Sequence, residues 1–310
     1  MTTPTATPTP AASGAAHVPG IPRGRRIELH RRGTTFVRTV KGPPGAPTVV
    51  LLHGLAATAA LNWHQVFTPL SEHFRVIAPD LRGHGRGIRS GRRFRLADCA
   101  EDVAETLRAL DADPAIAVGY SMGGPIAQLL WRDHPEVVSG LVLCATGAEF
   151  VPGNRERYAM VALAQILAGT TRLGTCIGWL PGTVVRRVLN VPSGGSGTPL
   201  AEWARKEMSK HSPRMLLEAG QSVATYSSKD WLHRVDVPTS VLVTTRDSAV
   251  LPAAQFRMAT EIPNSHVNLI DEGHVACVYP EFGRKVTDAC LDVQHRVELR
   301  AAGHWPAPEG

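Results

Sequence analysis

The sequence predicts an α/β protein, a mostly parallel sheet covered by helices on both faces. Three observations predict it. Short, largely apolar runs recur at Pro47 to Leu52, Phe74 to Ala78, Ala115 to Val118, Leu141 to Cys144, Ser240 to Thr244 and Val267 to Ile270, as strands buried on both faces require. Helix-length segments separate most of these runs, and such alternation builds parallel sheets through crossover connections. Several runs end in polar, glycine-bearing loops, the places where open parallel sheets gather reactive groups.

Each element has its own justification. Ile27 to Val40 alternates loosely between polar and apolar residues, which suits one or two opening antiparallel strands at a sheet edge. Pro47 to Leu52 ends in His53-Gly54, and Leu61 to Phe74 is long enough for a crossover helix. The next strand ends in Pro79-Asp80-Leu81-Arg82-Gly83-His84-Gly85, whose glycines permit tight turns. Ala100, Val103, Leu107 and Leu110 mark an amphipathic helix. The strand Ala115 to Val118 then runs into Gly119-Tyr120-Ser121-Met122-Gly123-Gly124 and a helix from Pro125 to about His134. After Leu141 to Cys144 the rhythm stops. Residues 147–231 read as an insertion, with helices expected at Tyr158 to Ala168, Val184 to Leu189, Leu200 to Lys210 and Met215 to Val223, and a flexible link at Pro192 to Gly197. The last two strands restore the pattern, one leading into Arg246-Asp247 and the other into Asp271-Glu272-Gly273-His274.

Composition narrows the class. With 310 residues, 43% of them hydrophobic, the chain can bury a large core. Its net charge is +6 and its pI is near 9.3. The excess is mostly arginine, gathered at Arg23, Arg25, Arg26, Arg31 and Arg32 and again at Arg82, Arg86, Arg89, Arg92, Arg93 and Arg95. A solvated surface accounts for these better than a nucleic-acid footprint, although the second group could collect anionic substrates. Five cysteines without a C-x-x-C pair read as reduced, mostly buried thiols of a cytoplasmic protein, with no disulfide frame and no metal site. Residues 1–22 repeat Thr, Pro and Ala and read as a disordered tail. The apolar run Val49 to Leu61 is broken by His53 and Gly54, so no membrane insertion is expected.

The chemistry follows from the loops. A strand turning sharply into a helix exposes the residue at the turn, and G-x-S-x-G puts Ser121 there between small residues. A serine hydroxyl needs an imidazole to take its proton, and the imidazole needs a carboxylate to set its tautomer. His274 and Asp247 each follow a predicted strand directly, as Ser121 does. The Met122 N–H, and the Leu55 N–H after His53-Gly54, are the natural donors to a developing oxyanion. His53 and His84 lie in turn motifs and read as loop-shaping. His64 and His73 read as surface residues. Asp271 and Glu272 are too near His274 in sequence to reach its far nitrogen easily, so Asp247 is the favoured acid.

Taken together, His53-Gly54, the Asp80 to Gly85 loop, the Gly119 to Gly124 elbow, Asp247 and Gly273-His274 resemble the α/β-hydrolase family over roughly residues 25–290. The Ser, Asp, His order is the family's order. The resemblance implies core segments at 23–146 and 232–290, a helical cap at 147–231 that carries substrate selectivity, and a C-terminal tail at 291–310. Glu149 is an alternative acid, because some members place it after that strand. Relatives that open epoxides or remove halides carry aspartate at the elbow, and this chain has Ser121. The expectation is therefore a carboxylesterase-like serine hydrolase of esters or thioesters, needing no cofactor and acting on a small acyl substrate. The same three residues would also serve cofactorless carbon–carbon bond hydrolysis, perhydrolysis or acyl transfer. A non-catalytic ligand receptor on the same fold is the reading of a different class.

Overall fold

A computed structural model describes residues 20–150 and 199–304. The expected helices at 158–168 and 184–189, the link at 192–197, and the chain ends at 1–19 and 305–310 lie outside them.

The opening pair is β1 (Gly24–Leu29) and β2 (Gly33–Val40), antiparallel to each other. The remaining strands are β3 (Thr48–Leu52), β4 (Arg75–Pro79), β5 (Ala115–Tyr120), β6 (Val138–Cys144), β7 (Thr239–Thr244) and β8 (His266–Ile270). They form one eight-stranded sheet in the order β1-β2-β4-β3-β5-β6-β7-β8. Neighbours from β4 to β8 pair in parallel, while β2 runs antiparallel to β4.

Every residue of β3, β5 and β7 is buried. Successive side chains face opposite sides of the sheet, so β3 and β5 are largely apolar. The buried hydroxyls of Thr239, Ser240 and Thr244 in β7 are each hydrogen-bonded. Val50 and Leu52 point to one face, with Leu107, Ile126, Leu130 and Met258. Val49 and Leu51 point to the other, with Trp63, Phe67, Phe282 and Val286. The first face is covered by α3 (Leu96–Ala109), α4 (Gly123–Asp133) and α7 (Pro252–Glu261). The second is covered by α1 (Ala59–Trp63), α2 (Phe67–Ser71) and α8 (Pro280–Ala301). Burying each large side chain contributes about 1.5–3 kcal/mol, so both faces are strongly driven.

Two expectations need adjusting. The single crossover helix over 61–74 is two short ones, α1 and α2. Pro69 lacks an N–H for the bond to residue 65, so one continuous helix could not pass through it. The C-terminal boundary at residue 290 falls inside α8, which continues to Ala301 with Val293 buried against the sheet. The expected helices at 200–210 and 215–223 are present as α5 (Pro199–Met208) and α6 (Pro213–Ala224). This region reaches the strand-end loops: in the connection between the two helices Ser212 N–H donates to Gly83 O at 3.0 Å, and Thr58 donates to the buried Glu207 of α5 at 3.2 Å.

Candidate active site

Ser121 follows β5 directly and has φ of 51°, a left-handed conformation that costs a non-glycine residue on the order of 1 kcal/mol or more. The surrounding bonds hold it there. Its N–H donates to Cys144 O at 3.0 Å and its carbonyl accepts Gly124 N–H at 2.9 Å. The Thr146 hydroxyl donates to the same carbonyl at 2.9 Å. Two glycines of the motif are required by close approach. A Cβ on Gly119 would strike the Gly123 carbonyl, and one on Gly123 would strike the Leu52 carbonyl.

The other two residues arrive from the ends of β7 and β8. Ser121 Oγ donates to His274 Nε2 at 2.9 Å, and His274 Nδ1 donates to Asp247 Oδ2 at 2.8 Å. Asp247 is 3% exposed, and burial alone would favour its neutral acid. The hydrogen bond and charge of His274, with the Val250 N–H and the Thr244 hydroxyl, outweigh that and hold its carboxyl below the usual range. Its Oδ1 accepts the N–H groups of Ala249 and Val250 at 2.8 and 2.9 Å. Its Oδ2 accepts the Thr244 hydroxyl at 2.8 Å.

The sequence reading missed three supports of this chain. Gln255, fully buried in α7, accepts Thr244 N–H at 3.1 Å and donates to Thr244 Oγ1 and Val250 O at 2.9 and 2.8 Å. Tyr120, the residue before Ser121, donates its hydroxyl to the His274 carbonyl at 2.5 Å. Asn62 accepts Gly54 N–H at 2.9 Å, and a Cβ on Gly54 would stand 3.4 Å from Ser121 Cβ. The loop bearing Leu55 therefore lies against Ser121, and Met122 begins α4 beside it. No sequence motif marks these supports, because each partner is brought into reach by the folded loops and helices between them.

The remaining candidates are accounted for. His53 donates through Nδ1 to Gly54 O at 2.8 Å, and Leu81 N–H donates to its Nε2 at 2.9 Å. Burial lowers its pKa to about 4, so it is a neutral loop-shaping ring. His84 is buried beside it, with Nδ1 donating to Arg82 O at 2.9 Å. His73 is exposed, whereas His64 is half-buried with its ring 6.0 Å from Trp203, not the surface residue expected. Glu149 pairs with Lys229, and Asp271 with Thr245 and Arg246. The second arginine group is not uniformly solvated. Arg82 is buried in a bidentate pair with Asp102 at 2.7 and 2.8 Å, and Arg86 stacks over Phe36 at 4.4 Å. Cys99, Cys144 and Cys290 are buried free thiols, and Cys277 is half-buried.

Residues 47–280 match the family model described as the alpha/beta hydrolase fold. The chain belongs to the α/β-hydrolase fold family. Among its curated relatives is the poly(3-hydroxyalkanoate) depolymerase of Ectopseudomonas oleovorans, 28% identical over an alignment of 264 residues that covers 81% of this chain and 86% of that one. A thermophilic esterase from Thermogutta terrifontis superposes with a TM-score of 0.71 at 26% identity, covering 89% of this chain and 99% of that one. The enol-lactonase of Burkholderia xenovorans LB400 shares the fold, with a TM-score of 0.65 at 22% identity over 87% of this chain and 100% of its own. No helix among the described residues of this α/β hydrolase is long and apolar enough to cross a membrane.

Proposed function

We propose that this hydrolase cleaves a carboxylic ester or thioester through an acyl-serine intermediate. The observation that carries the reading is the unbroken hydrogen-bond chain from Ser121 Oγ through the His274 ring to Asp247, at 2.9 and 2.8 Å. His274 Nε2 takes the Ser121 proton as Oγ attacks the carbonyl, then returns it to the leaving alcohol or thiol. Water, activated by the same nitrogen, releases the acid. Asp247 fixes the Nδ1–H tautomer and stabilises the imidazolium.

The Leu55 and Met122 N–H groups receive the oxyanion, and losing such a donor costs about 3–4 kcal/mol of transition-state stabilisation. Neither N–H has an acceptor among the described residues, as a donor reserved for a substrate oxygen requires. Residues 147–231 act as the cap, and among the described residues α5, α6 and their connection contact the strand-end loops. The similarity to an esterase and a depolymerase supports ester chemistry over the alternatives.

The test is turnover of p-nitrophenyl esters from acetate to palmitate by the wild type and Ser121→Ala, with fluorophosphonate labelling of both. Turnover and labelling that vanish in the alanine variant are expected. An alanine variant as active as the wild type would remove Ser121 as nucleophile.

A further inference from the structure

The turn that bears Leu55 is strained, and part of what holds it comes from outside the sheet. Ala56 has φ of 57°, a conformation that a non-glycine residue keeps only when its surroundings impose it. Within the core, Asn62 accepts the Gly54 N–H at 2.9 Å and Ala57 N–H donates to Gly54 O at 3.3 Å. The Ala56 carbonyl is taken by a different element. His211, in the connection between α5 and α6, donates its Nε2–H to Ala56 O at 3.0 Å, across 155 positions of sequence.

The other ring nitrogen completes the tie. Gly85 N–H donates to His211 Nδ1 at 3.0 Å. An amide N–H can only donate, so Nδ1 carries no proton and Nε2 does. The ring is thus a neutral bridge with one donor and one acceptor, each used. Burial, with the neighbouring His53, lowers its pKa to about 4, so the tautomer persists through neutral pH. A second contact comes from the same region: Gly220 in α6 packs over Leu55, leaving 3.9 Å between a Cβ placed there and Leu55 Cδ2.

On the reading that Leu55 N–H receives the oxyanion, we propose that His211 is a positioning residue for that donor. Its ring clamps Ala56 O to the Gly85 loop and so holds the 54–57 turn in its strained form. Without the clamp Ala56 relaxes to an ordinary backbone conformation, and the chain just before it, including Leu55, turns with it. His211 touches neither substrate nor the reacting atoms. It makes the α5–α6 connection part of the apparatus that stabilises the transition state, in addition to any contact of that region with substrate.

The experiment compares kcat and KM on one p-nitrophenyl ester for the wild type, His211→Leu, His211→Gln and Ser121→Ala, with thermal unfolding of each. Misaimed rather than deleted, the donor is expected to cost about 10–100-fold in kcat in the leucine variant, with KM within about 3-fold of the wild type. Glutamine can donate to Ala56 O and accept from Gly85, so it is expected to recover to within about 5-fold. If the leucine variant does not fold, His211→Asn takes its place, because asparagine can accept from Gly85 but is too short to reach Ala56 O. A leucine or asparagine variant with wild-type kcat overturns the proposal, as does a folded glutamine variant as slow as they are. An active Ser121→Ala overturns the acyl-serine reading and the proposal with it. An inactive Ser121→Ala beside unimpaired His211 variants overturns the proposal alone.

Discussion

Asp247→Asn separates the electronic role of the acid from its structural one, and the outcome can be worked from the bonds around it. Oδ1 of Asp247 accepts two backbone N–H groups, from Ala249 and Val250. An asparagine must therefore place its amide oxygen there, since turning the amide nitrogen toward two donors would leave all three unsatisfied. The amide nitrogen then occupies the Oδ2 position, where it faces the Thr244 hydroxyl and His274 Nδ1. The hydroxyl can rotate to accept from it. The imidazole accommodates it only by carrying its proton on Nε2, which now points at Ser121 Oγ and cannot take a proton from it. The wrong tautomer costs about 10⁴-fold in kcat, equivalent to about 5 kcal/mol of barrier. The fold loses only one charged hydrogen-bond acceptor, about 1–3 kcal/mol. The assay is kcat on a p-nitrophenyl ester together with a thermal melt. An Asp247→Asn protein that melts close to the wild type and hydrolyses within tenfold of it would refute the proposed role of Asp247.

Three further outcomes test the packing and the electrostatics. Gly123→Ala is expected to abolish soluble folded protein, because its Cβ meets the Leu52 carbonyl and comes within 3.1 Å of the His53 carbonyl. Those are backbone atoms of a buried strand end that cannot yield, so the cost exceeds the ~1–3 kcal/mol of ordinary overpacking. Gly220→Ala, in the interior of α6 with Leu55 Cδ2 at 3.9 Å the nearest atom among the described residues, is expected to raise the melting temperature, since alanine is favoured over glycine there by up to about 1 kcal/mol. Soluble yield and circular dichroism read both variants, and a well-folded Gly123→Ala would contradict the elbow packing. Stability is also expected to fall with acid. Unfolded histidine takes up a proton near pH 6.5, whereas buried His53 does not until about 4. Its contribution is complete above about pH 6.5 and is lost as pH drops toward 4, at about 1.4 kcal/mol per pH unit. His84 and His211 are lowered in the same direction, chiefly by burial. Urea midpoints from pH 7.5 to 4.5 measure this, and a flat profile would refute it.

What was legible in the sequence was whatever a short stretch imposes on itself. Strands buried on both faces are largely apolar, so β3 and β5 announce themselves, and β7 does so through Val241-Leu242-Val243. A turn that brings Gly119 against Gly123 must be small on both sides, so the elbow leaves its mark as well. Ser121, Asp247 and His274 are readable for one reason: each ends a strand, and the carboxyl ends of parallel strands converge. The supports were not readable, because each is a polar pair between separate segments. Nothing local tells Arg82 that it will be buried against Asp102, Gln255 that it will bind Thr244, or His211 that it will bind Ala56.

The two histidines that follow strands show what decides a role. His53 and His274 stand in similar sequence settings, each next to a glycine at the end of an apolar run. In His53 both ring nitrogens are occupied by backbone groups, Gly54 O and Leu81 N–H, so neither can exchange a proton with a substrate. In His274 one nitrogen meets a buried carboxylate and the other a hydroxyl, so a proton arriving at Nε2 is stabilised from behind. The distinction between a histidine that shapes a loop and one suited to moving a proton therefore lies in the partners of its second nitrogen, which only the folded chain assembles.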